Sequence, residues 1–168
     1  MIAYTIIVLA AAERLGELIY AAHNTRALLA KGGVEIGRAH YPLFILLHTA
    51  WLVSIVLTLP LPAVVSWAAL SAYLVLELLR VWTIGSLGPY WTTRIITLPN
   101  APLVKRGPYR VLRHPNYLIV IGEIAVLPLV FGEIWVSVAF SLVNAALLVW
   151  RIWEENLALA PRRALPLK

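Results

Sequence analysis

Apolar residues run nearly unbroken through five stretches of the chain, and turn residues or polar segments separate them. The stretches are 2–22, 42–60 ("PLFILLHTAWLVSIVLTLP"), 63–84, 116–131 and 133–152. A bilayer core of about 30 Å needs about 20 helical residues, so the lengths predict membrane-spanning helices. The stretch 116–131 is short for a full crossing. With 133–152 it predicts a tilted helical hairpin. "LPLP" at 59–62 and "FGE" at 131–133 supply the proline and glycine that end helices in tight turns. No internal repeat is present. The expected fold class is all-α, an integral membrane protein of about five transmembrane helices with a C-terminal helical hairpin.

Composition strengthens that reading. The 168 residues are 61% hydrophobic and 13% charged, against about 45–50% and about 25% in soluble domains. Mean hydropathy is +0.83. The N-terminus lacks a basic segment before its apolar run and carries Glu13, Arg14 and Glu17. It therefore predicts a retained span rather than a cleaved signal peptide. The length suggests a single membrane domain. It divides into three N-terminal spans (1–84), a polar segment plus hairpin (85–156) and a basic tail (157–168). The chain contains no cysteine, which excludes disulfides, thiolate metal sites and a cysteine nucleophile.

The net charge is +6, and its placement predicts topology. Arg26, Lys31 and Arg38 lie in 23–41. Arg94, Lys105, Arg106, Arg110 and Arg113 lie in 85–115. Arg162, Arg163 and Lys168 lie in the tail, just beyond Arg151 at the end of the fifth stretch. The turns at 59–62 and 131–133 hold no Lys or Arg. The positive-inside rule then places both polar segments and the C-terminus in the cytoplasm and the N-terminus outside. A bacterial inner membrane is the expected location. No basic–aromatic pattern for nucleic acid is present.

Charges inside the spans raise functional questions, because hydrocarbon disfavours them. Arg14 and Glu17 are three residues apart, as are Glu77 and Arg80, which puts each pair on one helix face. They either join helices or line a polar pocket. Glu123 has no partner in its own helix, and Arg80 is a candidate. His48 stands alone in the second span and reads as an interhelical hydrogen-bonder. The four histidines (23, 40, 48 and 114) are scattered, so no metal site is expected. Serine-hydrolase, P-loop and dinucleotide-binding patterns are absent.

Two polar clusters carry candidate chemistry. In "RGPYRVLRHPNY" (106–117), Gly107-Pro108 reads as a turn and "YRVL" as one helical turn. Pro115 pushes His114 towards extended geometry and can start a helix. Arg113 and His114 would then precede a helix N-terminus, whose free N–H groups suit a carboxylate or phosphate. A basic juxtamembrane stretch attracting anionic lipid is the other reading. In "WRIWEENLAL" (150–159), Glu154 and Glu155 oppose the helix dipole and need a positive partner, for which Arg110 or Arg113 is available. A ligand with a carboxylate, an ammonium, a ribose and an aromatic base suits both clusters. S-adenosylmethionine fits that description, as does a nucleotide.

"GPYRVLRHPNYLIVIGE", followed about forty residues later by "RIWEE", resembles the isoprenylcysteine carboxyl methyltransferase family and its phospholipid methyltransferase relatives. The N-terminal half looks like a small bacterial branch, some of whose members methylate alkylpyrones. The resemblance implies a membrane enzyme with S-adenosylmethionine bound on the cytoplasmic side and a lipophilic acceptor entering from the bilayer. It implies cofactor contacts from Tyr109, Arg113, His114, Pro115, Tyr117, Glu154 and Glu155, with Arg151 and Glu155 at the reacting groups. No metal is implied. Two departures stand out. Ile119 occupies a position where the family motif has glycine, with Gly122 further on, and "NLALAPRRALPLK" replaces the aromatic tail. An ionised carboxylate or acidic enol needs no base, and Arg151 could hold it. A neutral amine or phenol would need Glu154, Glu155 or Glu123. "HPNYLIVIGE" also resembles a segment of sterol reductases, which leaves a membrane NADPH-dependent reductase as an alternative. A non-catalytic lipid-binding membrane protein is the third.

Overall fold

The structure is a computed structural model that describes residues 1–99 and 101–163. Five helices form the body: α1 (Ile2–Ala30), α2 (Tyr41–Thr58), α3 (Trp67–Leu87), α4 (Pro115–Leu129) and α5 (Ile134–Arg163). Three helical stretches are long and apolar enough to cross a membrane: Tyr41–Thr58, Trp67–Tyr90 and Ile134–Arg163. The expectation of an all-α membrane protein holds. Large apolar side chains cover the outside, including Leu57, Val64, Leu78, Trp135 and Val149. That surface suits hydrocarbon rather than water.

Several boundaries differ from the sequence reading. α1 continues to Ala30 rather than ending near 22, because no proline or glycine lies between residue 22 and Gly32. α3 starts at Trp67 rather than 63, where the Ser66 hydroxyl accepts from the Ala69 N–H. α5 runs to Arg163 rather than 152, carrying Pro161 within its last turn. The segment expected as a tail is therefore helical through Arg163, while Lys168 lies outside the described residues. The expected turn of helix at "YRVL" (109–112) is a 3₁₀ turn two residues earlier, Gly107–Arg110.

The two polar segments also meet. Val34–Ile36 (β1) pairs antiparallel with Ile95–Thr97 (β2), an unpredicted strand pair. Arg94 bonds Glu35 at 3.1 Å. The Asn24 amide donates to the carbonyls of Trp91 (2.9 Å) and Gly88 (3.2 Å), tying the end of α1 to the chain beyond α3.

α4 packs between α3 and α5, burying Ile119, Val120, Glu123, Ile124 and Leu127. Gly122 faces Leu76 of α3, where a Cβ would lie 2.9 Å from the leucine methyls. The core gathers at one end of the bundle. Ala3, Ile7 and Ala10 meet Trp51, Ile55, Tyr73, Ile124, Leu127 and Phe131 there. The Ser66 N–H bonds the Val130 carbonyl at 2.8 Å and joins the two short turns. At the opposite end the helices part, and a cavity of about 680 Å³ opens between them.

Candidate active site

The site is built where α4 begins and α5 leaves the apolar layer. Pro115 opens α4 in a position where its missing N–H costs nothing. It is buried and does not line the cavity. Tyr117 follows in the first turn. Arg151 and Glu155 lie four apart on α5 and so share one face. Both face Tyr117. Arg151 Nε donates to the Tyr117 hydroxyl at 2.8 Å, and that hydroxyl donates in turn to Glu155. Arg151 Nη2 donates to the Thr93 carbonyl at 2.7 Å. Its guanidinium carbon lies 5.2 Å from the Phe44 ring centroid and 5.7 Å from that of Tyr117.

His114 stacks on Tyr117 with centroids 5.3 Å apart and planes 15° from parallel. Its Nδ1 is 3.5 Å from Glu155 Oε2 and its Nε2 is 3.3 Å from Asn156 Oδ1. An imidazolium can donate at both nitrogens to these two acceptors. The Glu155 carboxylate accordingly raises the His114 pKa above its ordinary value, outweighing partial burial. Tyr109 lines the cavity half-buried, and burial pushes its hydroxyl pKa up. Arg113 is exposed at the cavity mouth. The positive partners of Glu155 are thus Arg151, through Tyr117, and His114. Arg110 and Arg113 do not take that role.

Glu154 departs from its neighbour. One residue along a helix rotates a side chain by about 100°. Glu154 accordingly accepts from Trp150 Nε1 at 3.0 Å and sits over Gly37, away from the cavity lining. His40 is buried against Trp150, with burial first and the Arg151 charge second holding its pKa below the ordinary value.

The charged residues inside the spans converge. Arg80 bonds Glu123 at 2.7 Å, the partnership expected from sequence, and also binds Glu17. Arg14 reaches Glu17 and Glu123 at 3.3 Å and Glu77 at 3.1 Å. His48 is not an interhelical bonder; its Nδ1 meets its own helix at the Phe44 carbonyl, 2.8 Å away. Arg14, Glu17, Arg80 and His48 all line the cavity, whereas Glu77 and Glu123 do not.

Sequence reasoning missed three contributors. Asn116 lines the cavity with a buried Oδ1 that has no partner among the described residues. It lies inside the "RHPNY" motif, which was the available signal. Thr93 contributes a carbonyl and Phe44 a ring face, and neither has a sequence signature. Among the described residues no group of three metal-ligating side chains occurs.

A Bacillus subtilis (strain 168) protein named "Uncharacterized protein YpbQ" is 36% identical over 151 residues, covering 88% of this chain and 90% of that protein. No solved structure matches. The isoprenylcysteine carboxyl methyltransferase (ICMT) family model matches residues 67–161, an interval that contains Tyr109, Arg113, His114, Tyr117, Arg151 and Glu155. With its clustered site and apolar helices, this chain belongs to the isoprenylcysteine carboxyl methyltransferase family of membrane methyltransferases.

Proposed function

We propose that the protein is an S-adenosylmethionine-dependent methyltransferase acting on a lipophilic acceptor at the cytoplasmic face of a bacterial inner membrane. The observation that carries this reading is the convergence of Tyr117, Arg151, Glu155 and His114 on one cavity with a basic mouth and an apolar flank. The volume suits a small molecule, for which about 300–1,000 Å³ is usual. The residues present fit the cofactor. Arg113 and the start of α4 suit its carboxylate, and Glu155 suits an ammonium or ribose hydroxyl. The unpartnered Asn116 Oδ1 calls for an N–H or O–H donor, which a buried acceptor otherwise lacks at a cost of about 1–3 kcal/mol. Tyr109 and Tyr117 offer flat faces to an aromatic base.

When bound, S-adenosylmethionine supplies a methyl group on a sulfonium, which an acceptor atom displaces while the C–S electron pair leaves on sulfur. The protein's task is alignment and exclusion of water. Arg151 has Nε and Nη2 fixed by Tyr117 and Thr93, which leaves Nη1 to hold an acceptor anion. A carboxylate or acidic hydroxyl, prenylcysteine-like or alkylpyrone-like, suits that arrangement and favours O-methylation. A neutral acceptor must also lose a proton, and Glu155 is the carboxylate at hand. The acceptor's apolar portion leaves the site between α1 and α2, where Leu15, Leu18, Ile45 and Leu52 line the cavity.

Calorimetry on the purified protein in detergent tests this reading. Binding of S-adenosylhomocysteine, together with transfer of a labelled methyl group to a lipid extract of the source organism, is the expected result. NADPH binding without S-adenosylhomocysteine binding would instead support the reductase. Failure to bind either would support a non-catalytic lipid-binding protein.

A further inference from the structure

The cavity continues below the site just described. Phe44 lies under the Arg151 guanidinium, and α2 carries His48 one turn deeper, about 6 Å along the helix axis. The His48 Nδ1 meets the Phe44 carbonyl at 2.8 Å. A carbonyl has no proton to give, so Nδ1 is the donor and the neutral ring keeps its lone pair on Nε2. No described residue bonds that nitrogen, and the side chain lines the cavity.

The floor beside His48 is made of charges that pair largely with one another. Arg80 gives Nη2 to Glu17 at 2.6 Å and Nη1 to Glu123 at 2.7 Å. Arg14 gives Nη1 to Glu17 at 3.3 Å and Nη2 to Glu77 at 3.1 Å. Four carboxylates (Glu13, Glu17, Glu77 and Glu123) surround two guanidiniums, and Glu17 faces the cavity. A group arriving at this end meets the His48 lone pair, with the Glu17 carboxylate and the Arg14 and Arg80 guanidiniums beside it. Hydrocarbon there would strip water from the His48 nitrogen and return nothing. A hydrogen-bond donor supplies what that lone pair lacks.

We propose that the membrane-depth end of the cavity is a subsite for a hydroxyl or amino group of the acceptor, carried about one helical turn below the atom that is methylated. The assignment rests on the acceptor site proposed above Phe44. The acceptor is then a two-headed amphiphile. One ionisable group sits at Arg151, one donor sits at His48 and Glu17, and the apolar part extends towards the bilayer. Single-headed fatty acids fit poorly.

Two probes test it: a dodecyl-substituted benzoic acid, and its counterpart with a hydroxyl para to the carboxyl. Their affinities for the purified full chain are read by tryptophan fluorescence, with S-adenosylhomocysteine calorimetry alongside. The wild type is expected to bind the hydroxylated probe about tenfold tighter, a typical return for one satisfied hydrogen bond to a polar or charged partner. His48→Phe removes the preference and leaves S-adenosylhomocysteine affinity unchanged. His48→Gln, which restores an acceptor, recovers part of the preference. Equal affinity for the two probes, no binding of either, or a preference that survives His48→Phe overturns the proposal. A preference without S-adenosylhomocysteine binding keeps the subsite and removes the methyl-donor reading. Donor binding without a preference does the reverse.

Discussion

At the scale of the residue, the site depends on a short chain of donors: Arg151 to Tyr117, Tyr117 to Glu155, with His114 closing on the same carboxylate. Glu155→Gln keeps the shape but removes the charge that raises the His114 pKa. S-adenosylhomocysteine binding should weaken about 10–100-fold, the loss expected when a charge-assisted hydrogen bond of about 1.5–3 kcal/mol is broken. The pH dependence has a definite sign. The folded His114 pKa lies above its ordinary 6.5. Its pairing therefore contributes stability fully below 6.5 and loses it as pH rises through the raised value. Wild-type melting temperature should fall across that window, and the slope should flatten in Glu155→Gln. Much of this cluster was legible in "RHPNY" and "WEE", because such groups need a reason to sit beside a membrane. Which glutamate would face inward was not legible. That depended on the rotation of α5, fixed by contacts with α2 and α4 far away in sequence.

At the scale of the element, the apolar runs located all five helices, and the need of Glu123 for a partner pointed to Arg80. Helix ends were less legible, since polar residues extend a helix into water as readily as they end it. The β1–β2 pair joins segments about sixty residues apart with three residues on each strand, too short for an alternation signal. The 3₁₀ turn before α4 has its own requirement. Gly107 has φ +55°, and a Cβ there would lie 2.0 Å from Ser86 Oγ and 2.9 Å from Ser86 Cβ. Arg106 beside it donates to the Ser86 carbonyl at 2.6 Å. Gly107→Ala should cost about 1–3 kcal/mol and displace Tyr109 from the cavity wall. A lowered melting temperature together with weaker S-adenosylhomocysteine binding is the expected outcome.

At the scale of the whole molecule, the basic residues predict which side of the membrane each end faces. The chain has no cysteine, so single cysteines report accessibility without background. Val64→Cys, in the turn between α2 and α3, should react with an impermeant maleimide added outside. Val111→Cys, beside the site, should react only from the cytoplasmic side. Both positions are well exposed. The bundle is closed by its core at the α2–α3 and α4–α5 turns and opens at the other end. The cavity walls also have two origins. Tyr109 to Glu155 lie within residues 67–161, the interval the family model matches. The opposite wall, with Leu15, Glu17, Phe44 and His48, comes from α1 and α2 before that interval. On the proposed function, donor chemistry and acceptor choice sit on separable stretches of one chain. Under that proposal, selection can redraw the α1–α2 wall while the wall matched by the family model stays as it is, and new acceptors become reachable by drift in the first two helices alone.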